Sequence, residues 1–259
     1  MADELVLYDV EDGVATVTHN YPEKRNRLSG DMLAQLVGAI TRARDDEGAR
    51  AVVLTGAGKA FCAGADLGGF GSEAPAIQKH FGTDAFLEFF RLMPRLGKPS
   101  LCAANGHVVA GGMGLALSCD LVIAKEGADF WTPEINIGAF PYMIMSLIYR
   151  NVPRKKVNEM ILLGDRLSAE EAVRYGLANK VVAGDEFDEA VADWARRLAT
   201  KSPVLMRLGH DAMYRQQDMA LDDALEYLRS QLSLTFTTED IAEGAQAFFE
   251  KREPKWKGR

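Results

Sequence analysis

Two glycine turns and one glutamate are the residues whose types and spacing point to chemistry. The first turn is Ala63-Gly64-Ala65-Asp66, downstream of the apolar run VVLTG; the second is Gly111-Gly112, downstream of SLCAANG, inside the stretch AANGHVVAGGMGLALSCD. A strand, a glycine turn and a helix start in succession present unpaired backbone N–H groups to an anion. Phosphate fails the test of the letters. Gly106 and Gly111 have the Walker spacing, but Gly112 and Met113 stand where Lys and Ser/Thr must reach phosphate and metal, and Leu117 stands where a dinucleotide fingerprint needs a glycine. What is left is a transient oxyanion, or a tight turn with no ligand. If the two turns converge, one N–H from each points at one oxygen, and the pair stabilises an enolate more than a neutral carbonyl.

An enolate also needs a base. Glu134 follows a proline in DFWTPEINIGAFPYM, an otherwise largely aromatic and aliphatic stretch. A carboxylate in such a setting is partly desolvated, which disfavours its charged form and raises its pKa toward a working range. The bland alternative is a solvated loop acid. The other candidates are weaker. His107 reads as a hydrogen-bonded structural histidine, and His19, His80 and His210 are too scattered for a zinc set. Asp120, at the end of an apolar helix, reads as a buried or capping acid, and Ser118 lies inside that helix rather than on a nucleophile elbow.

The elements that must position these residues follow from periodicity. LVLYDV, EDG and VATVTH alternate around an Asp-Gly turn and predict a β-hairpin. From Asp31, the positions Leu33, Leu36, Val37 and Ile40 share one helical face, and RAVVLTG then reads as a strand. The pattern repeats: a helix with Phe86, Phe89, Phe90 and Met93 on one face, the strand PSLCAANG, the glycine turn and its helix, and the strand DLVIA. Helices follow over 141–150 and KKVNEMILLG, with a capping box at Ser168 and Glu171. Strands alternating with helices in this way imply an α/β fold with mainly parallel pairing. From about Glu186 strand signals vanish and four amphipathic helical segments follow, which divides the chain into a core over 1–185 and a helical region over 186–259.

Composition narrows the function classes. The 259 residues suit one sizeable domain with an appendage, and a net charge of −7 argues against nucleic acid or an anionic membrane as main partner. The basic tail KREPKWKGR is the exception. Three cysteines at no metal-ligand spacing read as reduced, packed thiols of a cytoplasmic protein, and the acidic N-terminus lacks the pattern of a signal peptide.

The blocks AFCAGADL, AANGHVVAGGMGLALSCDLVIA, TPEINIG and FFEKREPKWKG, in this order, resemble the enoyl-CoA hydratase/isomerase family, the crotonase superfamily. The resemblance runs from the hairpin to the last residues. It implies a crotonase-like spiral of ββα units and a C-terminal helical region that builds homotrimers, often dimers of trimers. The implied ligand is an acyl-CoA thioester, with coenzyme A entering as part of the substrate and no separate cofactor or metal. Position by position, the oxyanion hole falls on the N–H groups of Ala65 and Gly111, and the acid/base on Glu134. The substrate-binding set falls on Ala63, Asp66, Leu67, Gly112, Gly114, Phe140 and Tyr142 along the acyl group, with Arg25, Arg27 and the basic tail toward the nucleotide. One departure weighs on the reaction. Hydratases of the family carry a first catalytic glutamate on the helix after the glycine turn, where this chain has Gly114. A single carboxylate suffices to move a double bond from the 3 to the 2 position, so isomerisation leads. Hydration, decarboxylation or hydrolysis of an acyl-CoA follow, and a non-catalytic acyl-CoA-binding protein is the alternative of another class.

Overall fold

The computed structural model describes residues 4–66, 75, 77, 80 and 82–259. The chain starts with the expected hairpin: β1 (Val6–Glu11) and β2 (Val14–His19) pair antiparallel, from Val6 opposite His19 to Glu11 opposite Val14. Asp12 and Gly13 turn it with φ of 49° and 81°, the pair of left-handed residues that a two-residue hairpin turn demands. Helix α1 (Gly30–Asp45) starts on Ser29, whose hydroxyl accepts from the Met32 N–H at 3.1 Å. It buries Met32, Leu33, Leu36, Ile40 and Ala43, with Val37 at the margin of that face. Its end is fixed by Lys98, whose Nζ donates to the carbonyls of Ala43 and Asp46 at 2.7 Å each.

The strands β3 (Ala51–Gly56), β5 (Ser100–Ala104), β7 (Leu121–Lys125) and β10 (Lys180–Val182) extend the hairpin into a six-stranded sheet of order β1-β2-β3-β5-β7-β10, parallel from β2 onward. A second sheet, which residue patterning did not reveal, has the order β4-β6-β8-β9, formed by Ala60–Cys62, His107–Val109, Asp129–Trp131 and Arg166–Ser168. Its first three strands run parallel. Each is three residues long, too short for alternation to register. The two glycine turns therefore follow β4 and β6, not the longer β3 and β5 to which sequence order attached them.

Helices α2 (Asp84–Leu92), α3 (Gly111–Leu117), α4 (Tyr142–Asn151), α5 (Arg154–Leu163) and α6 (Ala169–Tyr175) surround one continuous apolar core that includes Leu36, Leu54, Phe61, Phe89, Met113 and Phe130. The capping box at Ser168 and Glu171 is formed. All three cysteines are buried thiols. The remaining helices are α7 (Phe187–Ala199), α8 (Pro203–Arg215), α9 (Leu221–Thr235) and α10 (Glu239–Glu250). Although α7 lies beyond residue 186, it packs on the six-stranded sheet, where Phe187 and Ala195 cover Val53, Leu101 and Ile123. Among the described residues no helix is long and apolar enough to cross a membrane.

Candidate active site

Parallel pairing sets the carboxyl ends of β4, β6 and β8 side by side, and such ends are where an α/β sheet offers its crevice. Ala65 follows the first strand, Gly111 the second and Glu134 the third. After β4 the chain bends at Gly64, at φ 87°, and Leu28 bridges it: the Leu28 N–H donates to the Gly64 carbonyl at 2.8 Å and the Asp66 N–H to the Leu28 carbonyl at 2.9 Å. After β6 the bend falls on Ala110, a non-glycine residue at φ 51° and ψ −122°. Strain of that kind persists only where surrounding contacts enforce it, and here the Ala110 N–H donates to the Trp131 carbonyl while its own carbonyl receives the Met113 N–H. The bends touch. A Cβ on Gly64 would lie 2.7 Å from the Ala110 Cβ, so only glycine lets the turns come this close. Neither the Ala65 N–H nor the Gly111 N–H has an acceptor among the described residues.

Ala65, Gly111 and Glu134 line one cavity of about 370 Å³, together with Ala63, Phe140 and Tyr142. Glu134 sits on a short 3-10 turn, Pro133–Ile137, directly after β8. It is half-buried, and its Oε2 is buried with no hydrogen-bond partner among the described residues. Burial pushes its pKa above the ordinary glutamate value, against the opposing effect of its own backbone N–H. Two unpaired N–H donors and an elevated carboxylate facing one largely apolar cavity form the set that proton abstraction beside a carbonyl requires. Phe140 packs against Tyr142 with ring centroids 5.4 Å apart, and Tyr142 is exposed. Ile144 lines the cavity as part of the 140–145 segment that the sequence placed beside the acyl group, whereas sequence reasoning missed Phe86, whose helical spacing signalled only a buried face.

Other expected positions fall elsewhere. Arg25, Arg27 and Asp66 line an adjoining shallow pocket that shares Ala63 and Ala65 with the cavity. Asp66 does not line the apolar cavity, because its carboxylate is held by the Arg27 guanidinium at 3.0 Å. Leu67 lies outside the described residues. Gly112 and Gly114 do not line the cavity either; both are buried inside α3. A Cβ on Gly112 would meet the Cys62 Cβ at 2.7 Å, and one on Gly114 would meet the Ile144 Cγ2 at 2.5 Å and the Phe90 Cζ at 2.7 Å. A glutamate at 114 has no room unless those side chains move. The basic tail does not line either pocket but lies on its own helices. Arg252 pairs with Glu243 and Glu250, Lys257 and Arg259 pair with Glu239, and the Trp256 Nε1–H donates to the Thr200 carbonyl.

Comparison with known proteins agrees with this architecture. The model of a family described as enoyl-CoA hydratase/isomerase matches residues 9–259. A Thermus thermophilus protein whose name assigns it to the enoyl-CoA hydratases is 37% identical over 254 residues, covering 96% of this chain and 100% of that one. An (E)-benzylidenesuccinyl-CoA hydratase of Thauera aromatica is 32% identical over 98% of this chain and 99% of its own. Among solved structures, an enoyl-CoA hydratase of Mycobacterium smegmatis superposes with a TM-score of 0.94 at 33% identity, over 98% of this chain and 99% of that one. The crotonase-like α/β fold expected from the four sequence blocks is the fold observed.

Proposed function

Because the chain belongs to the enoyl-CoA hydratase/isomerase family and is an enzyme of that kind, we propose that it isomerises an enoyl-CoA thioester with Glu134 as its single acid/base. The thioester oxygen sits between the N–H groups of Ala65 and Gly111. Glu134 takes a proton from the carbon next to the carbonyl of a 3-enoyl-CoA, and the electron pair moves onto the thioester oxygen as a dienolate. Glu134, now a carboxylic acid, returns that proton two carbons farther along, and the double bond ends at position 2. The observation that carries this reading is that Glu134 is the only carboxylate lining the cavity among the described residues.

The test incubates the protein with 2-enoyl-CoA and 3-enoyl-CoA thioesters of several lengths and follows mass and ultraviolet absorbance. Isomerisation conserves mass, hydration adds one water and hydrolysis frees CoA. Hydration is the second reading, favoured by the hydratase names of the relatives, and dominant water addition to the 2-enoyl-CoA establishes it instead. With none of these reactions, the protein is an acyl-CoA-binding module.

Two further results are expected from the same assay. Activity rises with pH as Glu134 ionises, so its acid limb lies above the ordinary glutamate pKa of 4.5. A limb at or below 4.5 removes Glu134 from the base role. For the nucleotide end the reading uses Arg25, which is exposed and has no carboxylate partner among the described residues. Arg25→Ala is expected to raise KM about tenfold with kcat little changed, the signature of lost uniform binding. A fall confined to kcat contradicts that assignment. For assembly, we propose a homotrimer closed through α9, whose Leu221, Leu225 and Leu232 are exposed.

A further inference from the structure

The space beside Gly114 is filled from two sides. Phe90 reaches it from α2 and Ile144 from α4, so that a Cβ on Gly114 would meet them at 2.7 and 2.5 Å. Phe90 is itself held in an aromatic stack, with Phe86 at 5.9 Å and Phe89 at 6.1 Å between ring centroids, the latter edge-on. Ile144 and Phe86 turn their other sides to the cavity that holds Glu134, whereas Phe90 does not line it. The Phe86, Phe90 and Ile144 side chains that make the wall on this side two layers deep carry no polar atom to hold a water. A water needs both room and hydrogen-bonding partners to stay in such a place.

We infer that Phe90, by filling the space beside Gly114 and bracing Ile144 and Phe86, is a specificity-determining positioning residue that keeps water off the Gly114 side of the cavity and so selects proton transfer over water addition. The inference rests on the isomerase reading and names what enforces it. Water addition puts a hydroxyl on carbon 3 and a proton on carbon 2, so a water must sit against the acyl chain while a base takes one of its protons. With that side closed, no water is held there against the acyl chain, and the proton that Glu134 removes returns to the same substrate faster than it exchanges. An opened wall admits water, and the same carboxylic acid then exchanges its proton before delivering it.

The experiment compares wild type with Phe90→Ala, and with the milder Phe90→Leu in case the larger truncation impairs folding. Each protein, checked for wild-type melting cooperativity, turns over 3-enoyl-CoA thioesters in D2O, and deuterium at the γ carbon of the product is read by mass spectrometry. Hydration of the matching 2-enoyl-CoA is read in parallel. Wild type is expected to transfer mostly substrate-derived hydrogen. The variants are expected to incorporate solvent deuterium and to raise the ratio of hydration to isomerisation about tenfold. A purely structural role for Phe90 lowers both rates together and leaves the deuterium fraction and the ratio unmoved, which overturns the inference while the isomerase reading stands. Wild type that hydrates the 2-enoyl-CoA faster than it isomerises the 3-enoyl-CoA overturns both. So does wild type that turns over neither.

Discussion

Glu134→Gln is expected to lower turnover about a thousandfold, within the range by which a positioned acid/base accelerates proton transfer, while binding of a CoA thioester stays within a few-fold of wild type. The substitution keeps the side chain's size and polarity but leaves an amide that takes no proton. The two N–H donors at Ala65 and Gly111 are untouched, so the thioester still docks. Stability separates a chemical loss from a folding loss. Since Glu134 has its pKa raised by burial, the folded state binds the proton more tightly than the unfolded chain. Its contribution is therefore most favourable at low pH and declines as pH rises past 4.5 through the raised folded value. Gln carries no charge to desolvate. The variant should accordingly melt no lower than wild type at neutral pH and gain relative to it between acid and neutral pH. Unchanged turnover in a well-folded Glu134→Gln protein would falsify the assignment of the base. A lost melting transition would instead mean that Glu134 supports the fold.

What the sequence disclosed and what it hid follow from the range of the interactions involved. The hairpin, α1 and the capping box of α6 depend on residues close together in the chain, and they were legible as a turn, a helical face and a Ser-x-x-Glu pattern. The convergence of Ala65, Gly111 and Glu134 depends on β4, β6 and β8 lying side by side. Those strands leave no periodic trace, so the residues were legible only as separate blocks and through family resemblance. The missing carboxylate at Gly114, and the single-acid chemistry it leaves, were readable from the letter, but the packing that fills its place was not. A glycine there reads as an open place, whereas Phe90 and Ile144 from two other helices have taken it. Asp66 is a related case. The family resemblance places it along the acyl-CoA, and only the fold brings Arg27 to it. The basic tail reads as free cations, and only the return of the chain onto α10 supplies Glu239 and Glu243 as partners.

Asp120→Ala is expected to cost about 3–5 kcal/mol of stability, the loss typical when one member of a buried charged network is removed. The carboxylate, 10% exposed, sits where three elements meet. One oxygen accepts from the Ser100 N–H at 2.6 Å and the Ser100 hydroxyl at 2.8 Å, at the start of β5. The other accepts from the Tyr214 hydroxyl at 2.5 Å and lies 3.2 Å from Nε2 of His210, both on α8. Alanine strands the Ser100 and Tyr214 donors in a largely buried place, and the penalty for unmet donors exceeds what the bonds add when formed. Tyr214→Phe removes a single partner and should cost only about 1 kcal/mol. Because Asp120 fastens α8 to the parallel sheet, its loss should raise amide exchange in α8 before it raises exchange in β5 or β7. The acid side of the stability profile carries a second signature. Burial raises the Asp120 pKa, but His210, Tyr214 and Ser100 more than offset it and leave the carboxyl below the ordinary 3.8. Its contribution is thus fully present above 3.8 and is lost as pH falls through the lowered folded value, a limb that the alanine variant lacks. Chemical denaturation at neutral and acid pH reads both effects. An Asp120→Ala protein as stable as wild type at neutral pH would show that α8 is held to the sheet by apolar packing alone.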